Sequence, residues 1–121
     1  MPFMNFRTLV KSFRFAMKGV RYAFQNEQNF RFQIIAGIVV IILMMVFPLQ
    51  NWERILLSLV IFMVLILELI NTAFEKIVDV LKPRVHFYVE IVKDIMAAVV
   101  LLASLGAIMI GIYIFIPHFF K

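Results

Sequence analysis

From Ile95 to Pro117 the chain runs for 23 residues without a charged side chain. As a helix, an apolar run of about 20 residues matches the ~30 Å hydrocarbon layer of a bilayer. In lipid the helix is also the local structure that satisfies its own backbone groups. Lys93 and Asp94 mark where the run begins, and the helix is expected over 88–116. Composition supports the same solvent: of 121 residues, 64% are hydrophobic and 16% charged. Soluble domains are about half apolar and a quarter charged, and one this short has too little interior to hide such an excess.

Two further spans are expected, over 30–49 and 52–82. In the first, the uncharged part is Ile34–Leu49; Phe30 and Phe32 extend it, with Arg31 and Gln33 free to snorkel toward headgroups. Pro48 and the polar stretch Gln50–Arg54 make a short turn, with Trp52 at interfacial depth. The second span should stop at Pro83. At ~1.5 Å per residue it reaches roughly 43 Å, so its last turns must tilt or leave the membrane. In the third span Ala103, Ala107 and Gly111 have small-xxx-small spacing, and Ala97, Ser104 and Gly111 share a stripe. Close packing between helices or protomers is the reading of that pattern.

Residues 3–26 read as an amphipathic helix. Arg7, Lys11, Arg14, Lys18 and Arg21 form one stripe; Phe6, Val10, Phe13, Met17, Val20 and Phe24 form another. Such a helix lies in the headgroup region with its basic face toward anionic lipid headgroups. The fold class is therefore all-α and integral to the membrane: one domain over 1–121, an interfacial helix followed by three spans, without linker or repeat. A cleaved leader is not expected, since the first long apolar run starts near Ile34 with no small-residue cleavage site after it.

The chain has no cysteine, which excludes disulfides and thiolate chemistry. His86 and His118 are too few and too far apart for a histidine metal site. The net charge of +5 does not point to nucleic acid, because the basic residues flank apolar segments and no nucleic-acid motif is present. Ten of the twelve Lys and Arg lie in the N-terminal segment and around the loop near Lys82 and Arg84, leaving Arg54 and Lys121 on the other side. The positive-inside rule then places the N-terminus in the cytoplasm.

The second span carries Glu68, Asn71, Thr72, Glu75 and Asp79. At 100° per residue they fall within about ±60° of one another, on one face. Carboxylates there are costly unless cations or protons neutralise them. Topology brings Asn26 and Glu27, before the first span, and Lys93 and Asp94, before the third, to the same level. Carboxylates that hold a divalent cation, a lysine for phosphate oxygens and one carboxylate left to accept a proton suit phosphoryl transfer. Ordinary salt bridges, for instance Glu75 or Asp79 with Lys93, are the plainer reading. The glycines stand at 19, 37, 106 and 111, and form neither a Walker loop nor a kinase glycine loop.

The stretch Glu68-Leu-Ile-Asn71-Thr-Ala-Phe-Glu75-Lys-Ile-Val-Asp79 has Lys93-Asp94 downstream and Asn26-Glu27-x-x-Phe30-Arg31 upstream. Together with Phe13-x-x-Ala16-x-x-Gly19, it resembles the prokaryotic diacylglycerol kinase family, which includes undecaprenol kinases. The resemblance implies a homotrimer with composite sites, ATP as phosphoryl donor and Mg²⁺ as divalent cation. It also implies roles: Glu27 and Glu75 for metal, Glu68 as general base, Asn71 to orient it or the phosphates, Lys93 for phosphate, and Asp79 and Asp94 to shape the nucleotide site. Where relatives often carry a second basic residue before the Lys-Asp pair, this chain reads Val89-Glu90-Ile91-Val92. The expected function is phosphorylation of diacylglycerol to phosphatidic acid at the cytoplasmic face of a bacterial inner membrane, with undecaprenol as the alternative acceptor. A non-catalytic channel or assembly subunit is the other class. It would need polar residues across the bilayer, and Ile55–Leu67 offers only Ser58.

Overall fold

Asn5 sets where the chain turns helical. Its backbone is extended (φ −128°, ψ 109°) and its side chain accepts the Arg7 N–H at 3.0 Å, the capping geometry that satisfies an otherwise unpaired helix donor. The first helix, α1, is therefore Phe6–Asn26 and begins three residues later than hydrophobic periodicity suggests. The computed structural model describes residues 3–82, 84 and 86–120, and α2 (Gln28–Val46), α3 (Asn51–Leu81) and α4 (His86–Phe119) complete it. Pro83 and Lys121, used above to end a helix and to count charge, lie outside the described residues.

A single residue separates α1 from α2. Glu27 is extended (φ −115°, ψ 110°), yet its N–H still reaches the Ala23 carbonyl at 2.8 Å. Arg31 holds the elbow: its guanidinium donates to the carbonyls of Phe24 at 2.9 Å and Gln25 at 3.1 Å. These are end carbonyls of α1 that have no helical donor, and a cation there also suits the helix dipole. The side chain thus turns back onto α1 instead of running out to headgroups.

Proline marks the next joint. Phe47, ahead of Pro48, is extended at φ −86° and ψ 144°, as the proline ring requires of its neighbour, and α2 ends three residues before Leu49 for that reason. Gln50 N–H donates to Glu53 Oε1 at 2.9 Å and opens α3. At the far end α4 continues through Pro117 to Phe119. A proline there removes one backbone hydrogen bond, and packing offsets the loss. Phe119 meets Phe47 edge-on at 5.0 Å, and His118 Nε2 lies 3.6 Å from Glu53 Oε1.

Leu49, Leu57, Ile114 and Phe115 form the buried cluster at this end, joined by Val40, Leu43, Met44 and Phe47. Leu57 is early in α3 and Ile114 late in α4, so the two helices run antiparallel. The α2–α3 pair closes at Gly37, where a Cβ would lie 3.1 Å from Ile61 Cγ2. By contrast, a Cβ at Gly106 or Gly111 would touch nothing within 4 Å. These two glycines of α4 therefore leave space open in this chain. α2, α3 and residues Phe87–Phe119 of α4 are each long and apolar enough to cross a membrane. Their outward faces keep large apolar side chains exposed, such as Met45, Phe62 and Leu102, as a membrane protein does.

Candidate active site

The 3.6-residue repeat of α3 puts Glu68, Asn71, Thr72, Glu75 and Asp79 on one stripe, and the fold grades their burial along it. Glu68 is 1% exposed and Asn71 and Thr72 are buried, Glu75 is half-buried, and Asp79 is exposed. Counted from Asn51, Glu68 lies ~26 Å along the helix axis and Asp79 ~42 Å. The stripe therefore climbs from hydrocarbon depth toward water at the α1 end of the bundle.

Each member has a local task. Thr72 Oγ1 donates to the Glu68 carbonyl at 3.0 Å, a bond back to the preceding turn. Asn71 Nδ2 donates to Glu75 Oε1 at 3.3 Å, which fixes the amide against one carboxylate oxygen and leaves the other open. Lys93 Nζ lies 2.7 Å from Asp79 Oδ1, a bond that ties α4 to the last turns of α3. The plain salt-bridge reading is thus realised for Asp79 with Lys93, while Lys93 also stays within electrostatic reach of Glu75. Asp94, one residue on, is exposed and makes no side-chain hydrogen bond or ion pair among the described residues.

Glu27 reaches the same place from the α1–α2 elbow. Its carboxylate and that of Glu75 both act electrostatically on Glu68, so three acidic groups share one neighbourhood. Among the described residues neither Glu27 nor Glu75 has a cation within ion-pair distance. No three carboxylate or imidazole groups among the described residues converge tightly enough to enclose a metal ion. Two uncompensated, part-exposed carboxylates instead fit a hard cation of the Mg²⁺ type, which keeps waters and takes one or two protein carboxylates together with substrate phosphates.

Gln33 is the site residue that the sequence left at the membrane surface. Its Nε2 donates toward Glu68 Oε2 at 3.5 Å, and its Oε1 is buried without a partner among the described residues. A buried amide oxygen left unpaired costs about 1–3 kcal/mol, which marks a place where a donor is missing. Gln33 also stands at the α1 end of an apolar groove of about 570 Å³ between α2, α3 and α4. Ala36, Gly37, Ser104, Ala107 and Gly111 line its floor, and Phe119 lies at its far end. The signal for Gln33 was its place four residues before Gly37, on the face of α2 that meets α3.

With this geometry in hand, comparison with known proteins decides the family. Residues 14–115 match the model of the prokaryotic diacylglycerol kinase family. The chain belongs to that family. Its curated relatives include a diacylglycerol kinase of Synechocystis sp., 38% identical over 110 residues that make up 90% of this chain and 63% of that protein. The diacylglycerol kinase of Escherichia coli K12 is 28% identical over 115 residues, 95% of this chain and 94% of its own. An undecaprenol kinase of Bacillus subtilis is 33% identical over 107 residues, 88% of this chain and 87% of that one. The chain spans under two thirds of the Synechocystis relative and nearly all of the Escherichia coli one. All three names describe lipid kinases, and the family matched by the chain is one of lipid kinases.

Proposed function

We propose that this protein transfers the γ-phosphoryl group of ATP to the hydroxyl of diacylglycerol, giving phosphatidic acid at the cytoplasmic face of a bacterial inner membrane. One observation carries the reading: a buried carboxylate, Glu68, touches the amide at the mouth of an apolar groove, with two unpaired carboxylates beside it. The groove takes the acyl chains and leaves the lipid hydroxyl beside Gln33 and Glu68, with its O–H directed at the Glu68 carboxylate. The hydroxyl oxygen then attacks the γ-phosphorus while its proton passes to Glu68. A new P–O bond forms as the bond to the β-phosphate oxygen breaks, and ADP leaves.

Glu27 and Glu75 would hold a divalent cation such as Mg²⁺, which supplies charge neutralisation of donor phosphate oxygens. Asn71 keeps Glu75 oriented from the same helix. Lys93 contacts phosphate from its place beside Asp79, and Asp79 and Asp94 border the nucleotide. α1 lies along the headgroups with its Arg and Lys stripe on anionic lipid, and three copies assemble so that neighbouring chains complete each site.

Undecaprenol is the second acceptor. A relative named undecaprenol kinase supports it, as does the length of the groove from Gln33 to Phe119, which suits an isoprenoid as well as an acyl chain. The test incubates purified protein with labelled ATP, Mg²⁺ and either lipid, then identifies the labelled product. Label in phosphatidic acid supports the first acceptor, label in undecaprenyl phosphate the second. Label in neither sinks the kinase reading.

A further inference from the structure

Two lysines stand near the acidic site and differ in what already occupies them. Lys93 is matched by Asp79 at 2.7 Å. Lys76, one residue past Glu75, is exposed, and among the described residues no carboxylate lies within ion-pair distance of it. It projects about 100° round the helix from Glu75, toward α1. There its Nζ sits 5.5 Å from the centre of the Tyr22 ring. Tyr22 is in the last turns of α1, just ahead of the Glu27 elbow, where α1 meets α3. Glu27 and Asp79 are both close enough to act on the Lys76 charge. Counted from Asn51, Lys76 lies ~38 Å along α3, beyond the ~30 Å hydrocarbon core and level with water and headgroups.

Charge balance assigns this ammonium a task. Glu27, Glu68 and Glu75 already concentrate negative charge, and a nucleoside triphosphate brings several further charges. One divalent cation leaves the cluster strongly anionic, and Asp79 already offsets part of the Lys93 charge. Contact with the Tyr22 ring restricts the rotamers of a long side chain before any ligand arrives, and the exposed ammonium keeps N–H donors open to solvent. A lysine so held is a compact point charge suited to phosphate.

We propose that Lys76, braced on Tyr22 where α1 meets α3, binds phosphate oxygens of the donor nucleotide. The proposal rests on the reading of the site as an ATP-dependent kinase. Phosphate oxygens also occur on anionic lipid headgroups, so the experiment separates the two sources. Lys76→Gln, Lys76→Arg and Tyr22→Leu are compared with the parent protein in phosphatidylcholine vesicles with and without phosphatidylglycerol. Affinity for a non-hydrolysable ATP analogue with Mg²⁺ is measured by calorimetry, and KM and kcat for ATP and lipid by turnover.

Lys76→Gln should weaken analogue binding and raise the KM for ATP about tenfold, the effect of one charge-assisted hydrogen bond. Its kcat and lipid KM should stay within about threefold. Lys76→Arg should bind the analogue within about threefold of the parent, and Tyr22→Leu should weaken it by a smaller factor than Lys76→Gln. Unchanged analogue affinity in Lys76→Gln overturns the proposal. So does a lowered melting temperature with normal nucleotide affinity, or loss confined to stimulation by phosphatidylglycerol. A parent protein that phosphorylates no lipid would sink the kinase reading alone, because the calorimetric comparison still reads Lys76 directly.

Discussion

A carboxylate enclosed as tightly as Glu68, at 1% exposure, has among the described residues one side-chain hydrogen-bond partner, the Gln33 amide at the 3.5 Å limit. Burial on those terms is costly, and that cost is the ground for proposing Glu68 as the proton acceptor. Glu68→Gln keeps the shape and the amide contact but removes the base. Its kcat should fall on the order of 10²–10⁴-fold with nucleotide affinity retained. Glu27→Gln should instead raise the Mg²⁺ needed for half-maximal turnover. A parallel collapse of nucleotide binding in Glu68→Gln would make that residue a ligand of nucleotide or metal. The acidic half of this neighbourhood was legible in the sequence, because a helix repeat alone aligns Glu68, Asn71, Glu75 and Asp79. Gln33 and Lys76 were not legible in that way. Each acquires its place from a different helix, Gln33 through the α2–α3 contact at Gly37 and Lys76 through Tyr22 of α1. Arg31 shows the same limit: a charged residue at a span's start reads as a snorkelling side chain, and the α1 carbonyls capture it only once the elbow at Glu27 has formed.

Helices were legible as hydropathy, their ends only where local chemistry speaks. Asn5 caps α1 and Pro48 forces Phe47 out of α2, both short-range effects. The passage of α4 through Pro117 is different, since it depends on Phe47 and Glu53 at the distant α2–α3 joint. Small residues illustrate the same division. Gly37 is a contact: its Cβ position is 3.1 Å from Ile61 Cγ2. Gly111 has the spacing of a contact and lines an open groove. Gly37→Ala sets a gain of about 0.8–1 kcal/mol in helix propensity against a tight approach that Ile61 must relieve by moving. Ile61 borders the groove, so it has room to give. Gly37→Ala should therefore change stability in detergent by less than about 1 kcal/mol. Gly37→Leu should destabilise by about 1–3 kcal/mol, as overpacking does. Equal stability for all three, read from thermal or denaturant unfolding, would mean that α2 and α3 do not close at Gly37.

The molecule as a whole is polarised. Glu27, Glu68, Glu75, Lys76, Asp79 and Lys93 gather at the α1 end, while the opposite end holds the apolar cluster of Leu49, Leu57, Ile114 and Phe115 beside the largely buried pair of His118 and Glu53. On the proposed kinase reading, the α1 end faces ATP, which is cytoplasmic. The distribution of Lys and Arg points the same way: α1 and the α3–α4 connection hold most of them, and basic segments resist translocation. The orientation is testable because the chain has no cysteine of its own, so each introduced thiol reports one position. Asn5→Cys, Asn51→Cys, Glu90→Cys and Phe120→Cys alter exposed residues near the four helix ends. A membrane-impermeant maleimide applied to intact cells should label Asn51→Cys and Phe120→Cys, and should reach Asn5→Cys and Glu90→Cys only after lysis. Asn5 is joined to Glu27 through α1 with no span between them, and Glu90 lies within one turn of Lys93, so labelling either from outside would put the acidic site away from ATP. The orientation and the kinase mechanism would then fall together, whereas labelling at all four positions in intact cells would mean a mixed topology and a charge bias too weak to set it.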